Sequence, residues 1–262
     1  MDESFHSVFA NATRYAEISS EPQRAIKVSA RTIARMLGFA AFVMFLISLA
    51  IDTRIYLLDQ SSTPQGVWLA RADKWFNVDK ESNLPTYFSM LLLLAAAVLL
   101  GLIGWAKWQA GNRFAAHWAL LSLIFHCMAF DEIVQIHELL GEHLRRALGT
   151  TDYLYYAWVI PGMFLTIVLG CSFLRFLANL PGRFCILFVA AGAVYVSGVL
   201  GLELVESHLV SQHGVQHQFP LRFLTYSMQE LLEMEGIVLF IYTLLEYLRW
   251  LAPAMRIEFE RV

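Results

Sequence analysis

Six runs of mostly apolar residues recur along this chain, at about 37–58, 86–108, 114–141, 154–177, 184–210 and 221–250. Each is about the ~20 residues or more that a helix needs to cross a ~30 Å hydrocarbon layer. No water reaches backbone groups in that layer, so a crossing segment must be a helix or a strand of a closed barrel. These runs are too long and too continuous for barrel strands. The expected fold is therefore all-α, a polytopic membrane helix bundle of about six transmembrane helices. Composition agrees. Charged residues make up 16% of the 262 positions, against roughly a quarter in soluble domains.

The runs divide the chain into a cytoplasmic N-terminal segment at 1–34, the bundle at 35–252 with an outer loop at 59–85, and a cytoplasmic tail at 253–262. Residues 1–30 lack the apolar stretch of a signal peptide, so the first span is expected to direct insertion. Pro161-Gly162 predicts a kink in the fourth span. Orientation follows the positive-inside rule. With the N-terminus inside, the inner side collects twelve Lys and Arg residues and the outer side seven. The short loops after spans two and four, with Lys107, Arg113, Arg175 and Arg183, carry only positive charge. The chain thus reads N-in and C-in in a cell membrane, on the pattern of a bacterial inner membrane. A net charge of −3 offers nothing to nucleic acid. Cys127, Cys171 and Cys185 sit in apolar stretches and read as buried free thiols.

The informative residues are carboxylates where lipid should exclude them. Asp131, Glu132, Glu138 and Glu142 fall in span three, Glu203 and Glu206 in span five, and Glu230, Glu233 and Glu235 in span six. These are nine of the 22 acidic residues. A charge at the bilayer centre costs about 2.5–3.5 kcal/mol even on insertion scales. At 1.5 Å per residue all three sets fall in the outer half of the membrane. At 100° per residue they form stripes: Cys127, Asp131, Gln135, Glu138 and Glu142; Glu203, Glu206 and Ser207; Tyr226, Glu230 and Glu233. Glu132, Glu235, His137, His143 and His208 point elsewhere on the same helices.

Carboxylates in a low-dielectric site without Lys or Arg at their depth either protonate or gather around cations. The second option predicts a divalent transition metal (iron, manganese or zinc) held by Asp131, Glu138, Glu203, Glu230 and Glu233, with Glu206, His137 and His208 as further candidates. Tyr226 is then a supporting donor to the bound cofactor. Glu203-x-x-Glu206 and Glu230-x-x-Glu233 match part of the di-metal helical-bundle pattern, though no Glu-x-x-His occurs. A lone Glu near an interface more often snorkels to headgroups, which suits Glu142, Glu206 and His143. His117 and His126 read as hydrogen-bonded core residues. His213 and His217 read as loop side chains.

Two segments, Phe130-Asp-Glu-Ile-Val-Gln-Ile-His-Glu138 and Gln229-Glu-Leu-Leu-Glu-Met-Glu-Gly236, resemble an uncharacterised group of bacterial multi-pass membrane proteins. That group carries an Asp-Glu-x-x-x-x-His-Glu segment and a later Glu-rich helix followed by Gly. The resemblance implies that the two segments work together and implies no activity.

The residues themselves point to a membrane protein with a carboxylate/histidine site, metal-binding and of the kind a metal-dependent membrane enzyme uses. Its partners are the lipid bilayer, a small-molecule or lipid substrate, and a homo-oligomer or membrane-complex partner. A proton- or divalent-cation-coupled transporter is the first alternative, and an accessory subunit of a membrane complex the second.

Overall fold

A computed structural model describes residues 29–58, 64–214 and 220–251, and these are helical almost throughout, with no strand among them. In chain order the helices are α1 (Ala30–Leu58), α2 (Pro64–Phe76), α3 (Leu84–Gln109), α4 (Ala115–Val134), α5 (Ile136–Leu148), α6 (Val159–Ala178), α7 (Gly182–Val196), α8 (Glu203–His213) and α9 (Pro220–Leu251). A π-helical turn, Ser197–Leu202, joins α7 and α8 into one continuous rod. Five segments are long and apolar enough to cross a membrane: α1, α3, α4, α6 and the α7–α8 rod. The 32-residue α9 is as long, but it carries Arg222, Glu230, Glu233, Glu235, Glu246 and Arg249. His217 and both terminal segments expected from the sequence lie outside the described residues, apart from the stretch that begins at Ser29.

α9 is the axis of the bundle. It packs on α1, α3, α7 and α8, and its Met234, Ile237, Val238, Ile241 and Leu244 are among the least exposed residues. α3 and α4 form a tight antiparallel pair through a turn in which Gly111 takes φ 64°. Asn83 starts α3 by accepting a hydrogen bond from the Thr86 amide at 3.2 Å, with Pro85 in the first turn, where a missing N–H costs nothing. Lys107 lies over the rings of Tyr247 and Trp250. Arg113 donates to Asn179 at 3.0 Å and Arg183 to Glu246 at 3.1 Å. Those contacts gather one end of the bundle.

Three local features depart from the expected spans. The third span stops at Val134, because Gln135 adopts φ 60° and a new helix begins at Ile136. α5 is amphipathic: Glu142 pairs with Arg146 in solvent, while Gly141 lies against Trp158. Pro161-Gly162 falls in the first turn of α6 and produces no kink, since that helix starts at Val159 rather than near residue 154. The stretch expected as an outer loop holds α2 and then a turn that folds inward, leaving Asn77, Val78 and Asn83 buried. Cys127, Cys171 and Cys185 are free, as expected, but Cys127 and Cys171 are exposed on the lipid-facing surface of the helices rather than buried.

Two glycines set the spacing at the centre. A Cβ at Gly236 would meet the Tyr195 amide nitrogen at 2.8 Å, and one at Gly198 would meet the Gln229 carbonyl oxygen at 2.8 Å. Backbone atoms cannot rotate away as a side-chain tip does. Gly236→Ala is therefore expected to destabilise the protein by about 1–3 kcal/mol, the usual cost of overpacking, read as a lower melting temperature in detergent.

Candidate functional site

Polar residues, some buried and some half-buried, collect at the end of the bundle away from Arg113 and Arg183, in two connected groups. The first is a network of pairs. Asp52, late in α1, accepts from the Tyr226 hydroxyl at 2.7 Å and from the Asn77 amide at 2.9 Å. Asn77 also donates to Asp73, which pairs with Lys80. Arg222, in the first turn of α9, bridges Glu206 at 3.0 Å and Asp79 at 3.1 Å. Tyr156 donates to the same Glu206 oxygen at 3.4 Å. His208 pairs with Asp152 and stacks on Tyr153.

The second group has a different character. Glu81, in the turn before α3, Glu132 on α4, and Glu230 and Glu233 on α9 all lie within electrostatic reach of one another. Tyr195 of α7 borders Glu132, Glu230 and Glu233. Glu203, at the first turn of α8, accepts from Trp158 Nε1 at 2.8 Å and from Gln229 Nε2 at 2.7 Å. Gln229 also lies within hydrogen-bond reach of Glu233, while its own Oε1 is buried without a partner. No Lys or Arg enters this group. Its one basic side chain is His137, whose Nδ1 lies 2.6 Å from Asp131.

The backbone places these groups. The left-handed residue Gln135 lets the chain turn, so that His137 comes back to Asp131 through its ring and, at 3.2 Å, through its amide. The π turn that precedes Glu203 re-aims α8 in the same region; such turns are frequent at functional sites. Outside the spanning helices the titrations of Glu81, His137 and Tyr156 are shifted, that of Tyr156 upward by burial. Burial pushes the Glu81 carboxyl above its usual range, reinforced by Glu138 and Asp79 and opposed by a hydrogen bond from Gln135. Burial works against a charged His137, but the bond and charge of Asp131 outweigh it and hold the imidazole above its ordinary value.

The candidate residues read from the sequence are thus distributed. Glu233 lies within electrostatic reach of both Glu230 and Glu203, and Glu203 within that of His137. Glu206 is engaged by Arg222, which reaches the depth at which the sequence predicts no Lys or Arg. His208 belongs to Asp152, and Tyr226 to Asp52. Glu138 is exposed on α5, and the Glu235 carboxylate lies over Gly38 of α1. His126 Nδ1 bonds the Ser122 carbonyl, whereas His117 Nδ1 has no partner. Glu81, Glu132 and Tyr195 were not candidates in the sequence reading. Glu81 lies in a polar turn, and Glu132 falls off the stripe of a helix assumed continuous. Among the described residues, no three His, Cys, Asp or Glu side chains converge as a metal-binding group.

These features define a helical membrane protein with a cluster of carboxyl groups inside the bundle. The model of a domain of unknown function, DUF8692, matches residues 40–247, and the chain belongs to that family. No curated protein and no solved structure matches it.

Two outcomes follow from the geometry. Arg222→Gln leaves the buried Glu206 without its counter-ion and removes one partner of Asp79, and is expected to destabilise the fold by about 3–5 kcal/mol. Adding Glu206→Gln should recover part of that loss, as followed by thermal unfolding. For Glu81, the folded state keeps a proton over a pH range in which the unfolded chain has lost it. Its stabilising contribution is complete below the ordinary carboxylate range and is lost as pH rises through the raised value. Glu81→Gln is free of that loss. Its melting temperature relative to the native chain should therefore rise as pH increases above the ordinary carboxylate range.

Proposed function

We propose that this is a cation-binding membrane protein of six crossings, α9 being the sixth, with both termini on the cytoplasmic side of a cell membrane. Its working part is the carboxyl group cluster of Glu81, Glu132, Glu230 and Glu233. One observation carries this reading: Glu230 and Glu233 on α9 lie within electrostatic reach of Glu132 and Glu81, and among the described residues no Lys or Arg joins them. Carboxyl groups in that setting hold either protons or a divalent metal ion, since isolated anions there are too costly. Oxygen donors beside one imidazole suit manganese, iron or zinc. Glu230, Glu233, Glu132 and Glu81 would hold such an ion, with Asp131 and His137 next to them. Glu203, tied to Trp158 and Gln229, would orient the Glu233 side.

Two helix irregularities flank the cluster, the break at Gln135 and the π turn at Ser197–Leu202. Interrupted helices beside intramembrane acids favour passage of the cation, as in proton- or divalent-cation-coupled transport. The Asp131–His137 pair supports a second reading, a metal-dependent membrane enzyme. An imidazole with an oriented tautomer and a raised pKa suits general acid and base work.

The experiment is elemental analysis of the purified protein, with melting curves of the native chain and Glu230→Gln with and without chelator. A metal occupant predicts one or more equivalents of metal and a chelator-sensitive melt. The variant then loses stability, by about 2.7 kcal/mol where the metal stands at a hundred times its dissociation constant. A proton occupant predicts no metal and a variant at least as stable as the native chain, because Gln mimics a neutral acid. A metal-free protein that Glu230→Gln strongly destabilises would sink both forms of the proposal, since Glu230 would then be an anion held by other means.

A further inference from the structure

At the opposite end of the bundle a cleft of about 580 Å³ opens between the start of α4 and the end of α6. It is lined by Arg113, Phe114, His117, Ser172, Arg175 and Asn179, together with Ala178. Two guanidiniums and an imidazole face it, and none of its lining side chains is acidic. Arg113 is fixed by its bond to Asn179 and by the Phe114 ring, 4.7 Å from its guanidinium carbon. That bond uses only Nη2, so most of the guanidinium donors remain available. His117 is locked among rings, stacked on Phe176 and edge-on to Phe114 and Phe173. Its Nδ1 is buried without a partner in the chain, as few buried polar atoms are.

The surroundings say which anion fits. Trp105 and Trp108, exposed at the same end of the bundle, mark the headgroup level, where such rings concentrate. Going down α6 from Arg175, the positions Ser172, Val168 and Leu165 form one helical stripe, and Val168 and Leu165 are exposed. A charged headgroup at the cleft thus continues into an apolar track suited to an acyl chain. We infer that this cleft binds the phosphodiester headgroup of an anionic phospholipid, with Arg113 and Arg175 on the phosphate and His117 at its edge. Basic pockets between spanning helices commonly take such headgroups, and Arg matches the phosphate oxygens in a fork. The site is separate from the carboxyl group cluster and does not depend on how that cluster is filled.

The test uses the full chain in neutral detergent and follows its melting temperature against added short-chain lipids. Dioctanoyl phosphatidylglycerol should raise the melting temperature saturably, and dioctanoyl phosphatidylcholine should not at the same concentration. The double variant R113Q/R175Q should melt like the native chain without lipid and bind phosphatidylglycerol at least about tenfold more weakly, having lost charge-assisted bonds. A double variant on α5, R145Q/R146Q, should keep native affinity. Equal shifts with the two lipids, or an unaltered affinity in R113Q/R175Q, would overturn the proposal. A shift reproduced by inorganic phosphate alone would also overturn it, since a soluble anion would then be the occupant. If R113Q/R175Q does not fold, native mass spectrometry of the unmodified chain decides. Retention of phosphatidylglycerol over phosphatidylcholine supports the site, and equal retention overturns it.

Discussion

Every polar side chain in this bundle answers to one constraint: an anion without water must have a proton, a cation or several donors close by. The polar end of the molecule meets it in two ways. Arg222 is shared between Glu206 and Asp79, and Asp52 is held by a hydroxyl and an amide. Those groups have their carboxylates matched from within the chain, although Arg222 keeps Nε and Nη1 buried without an acceptor. Glu81, Glu132, Glu230 and Glu233 are not matched in this way. The two layers, one of carboxylates with partners and one of carboxyl groups beside each other, lie within the same few turns of α9.

The central helix makes that contrast possible. α9 presents Arg222 and Tyr226 to the network of pairs, Glu230 and Glu233 to the cluster, and an apolar surface from Met234 to Leu244 to its neighbours. Gly236 and Gly198 let the α7–α8 rod lie against it at backbone distance. A rod held that close also carries Tyr195 to the carboxyl groups and Glu203 to Gln229.

The apolar runs made the helices legible, and the agreement in depth of the acidic residues made their concentration at one end legible. What escaped was local. Glutamine carries no signal for the left-handed region, so the end of α4 at Gln135 was invisible, and every stripe drawn through it was wrong beyond that point. Glu138 consequently lies exposed, outside the interior. Long-range pairings were equally hidden: nothing near Arg222 announces that it reaches Glu206, 16 positions back in the sequence. Glu81 sits in a turn whose inward fold depends on Asn77 and Asn83 meeting buried acceptors and donors, a tertiary event without periodicity.

The break at Gln135 has an electrical side. It starts a second helix, and the first amides of α5 have no carbonyl partners within that helix. Asp131 accepts one of them, from His137, and so it serves as the last turn of one helix and the acceptor for the start of the next. The aligned peptide dipoles of α5 therefore direct roughly half a positive charge toward the acidic residues. The carbonyl end of α4 stands at the same break beside Glu132, so the main chain sets opposite partial charges on the two sides of Gln135, fixed whatever the protonation of the side chains.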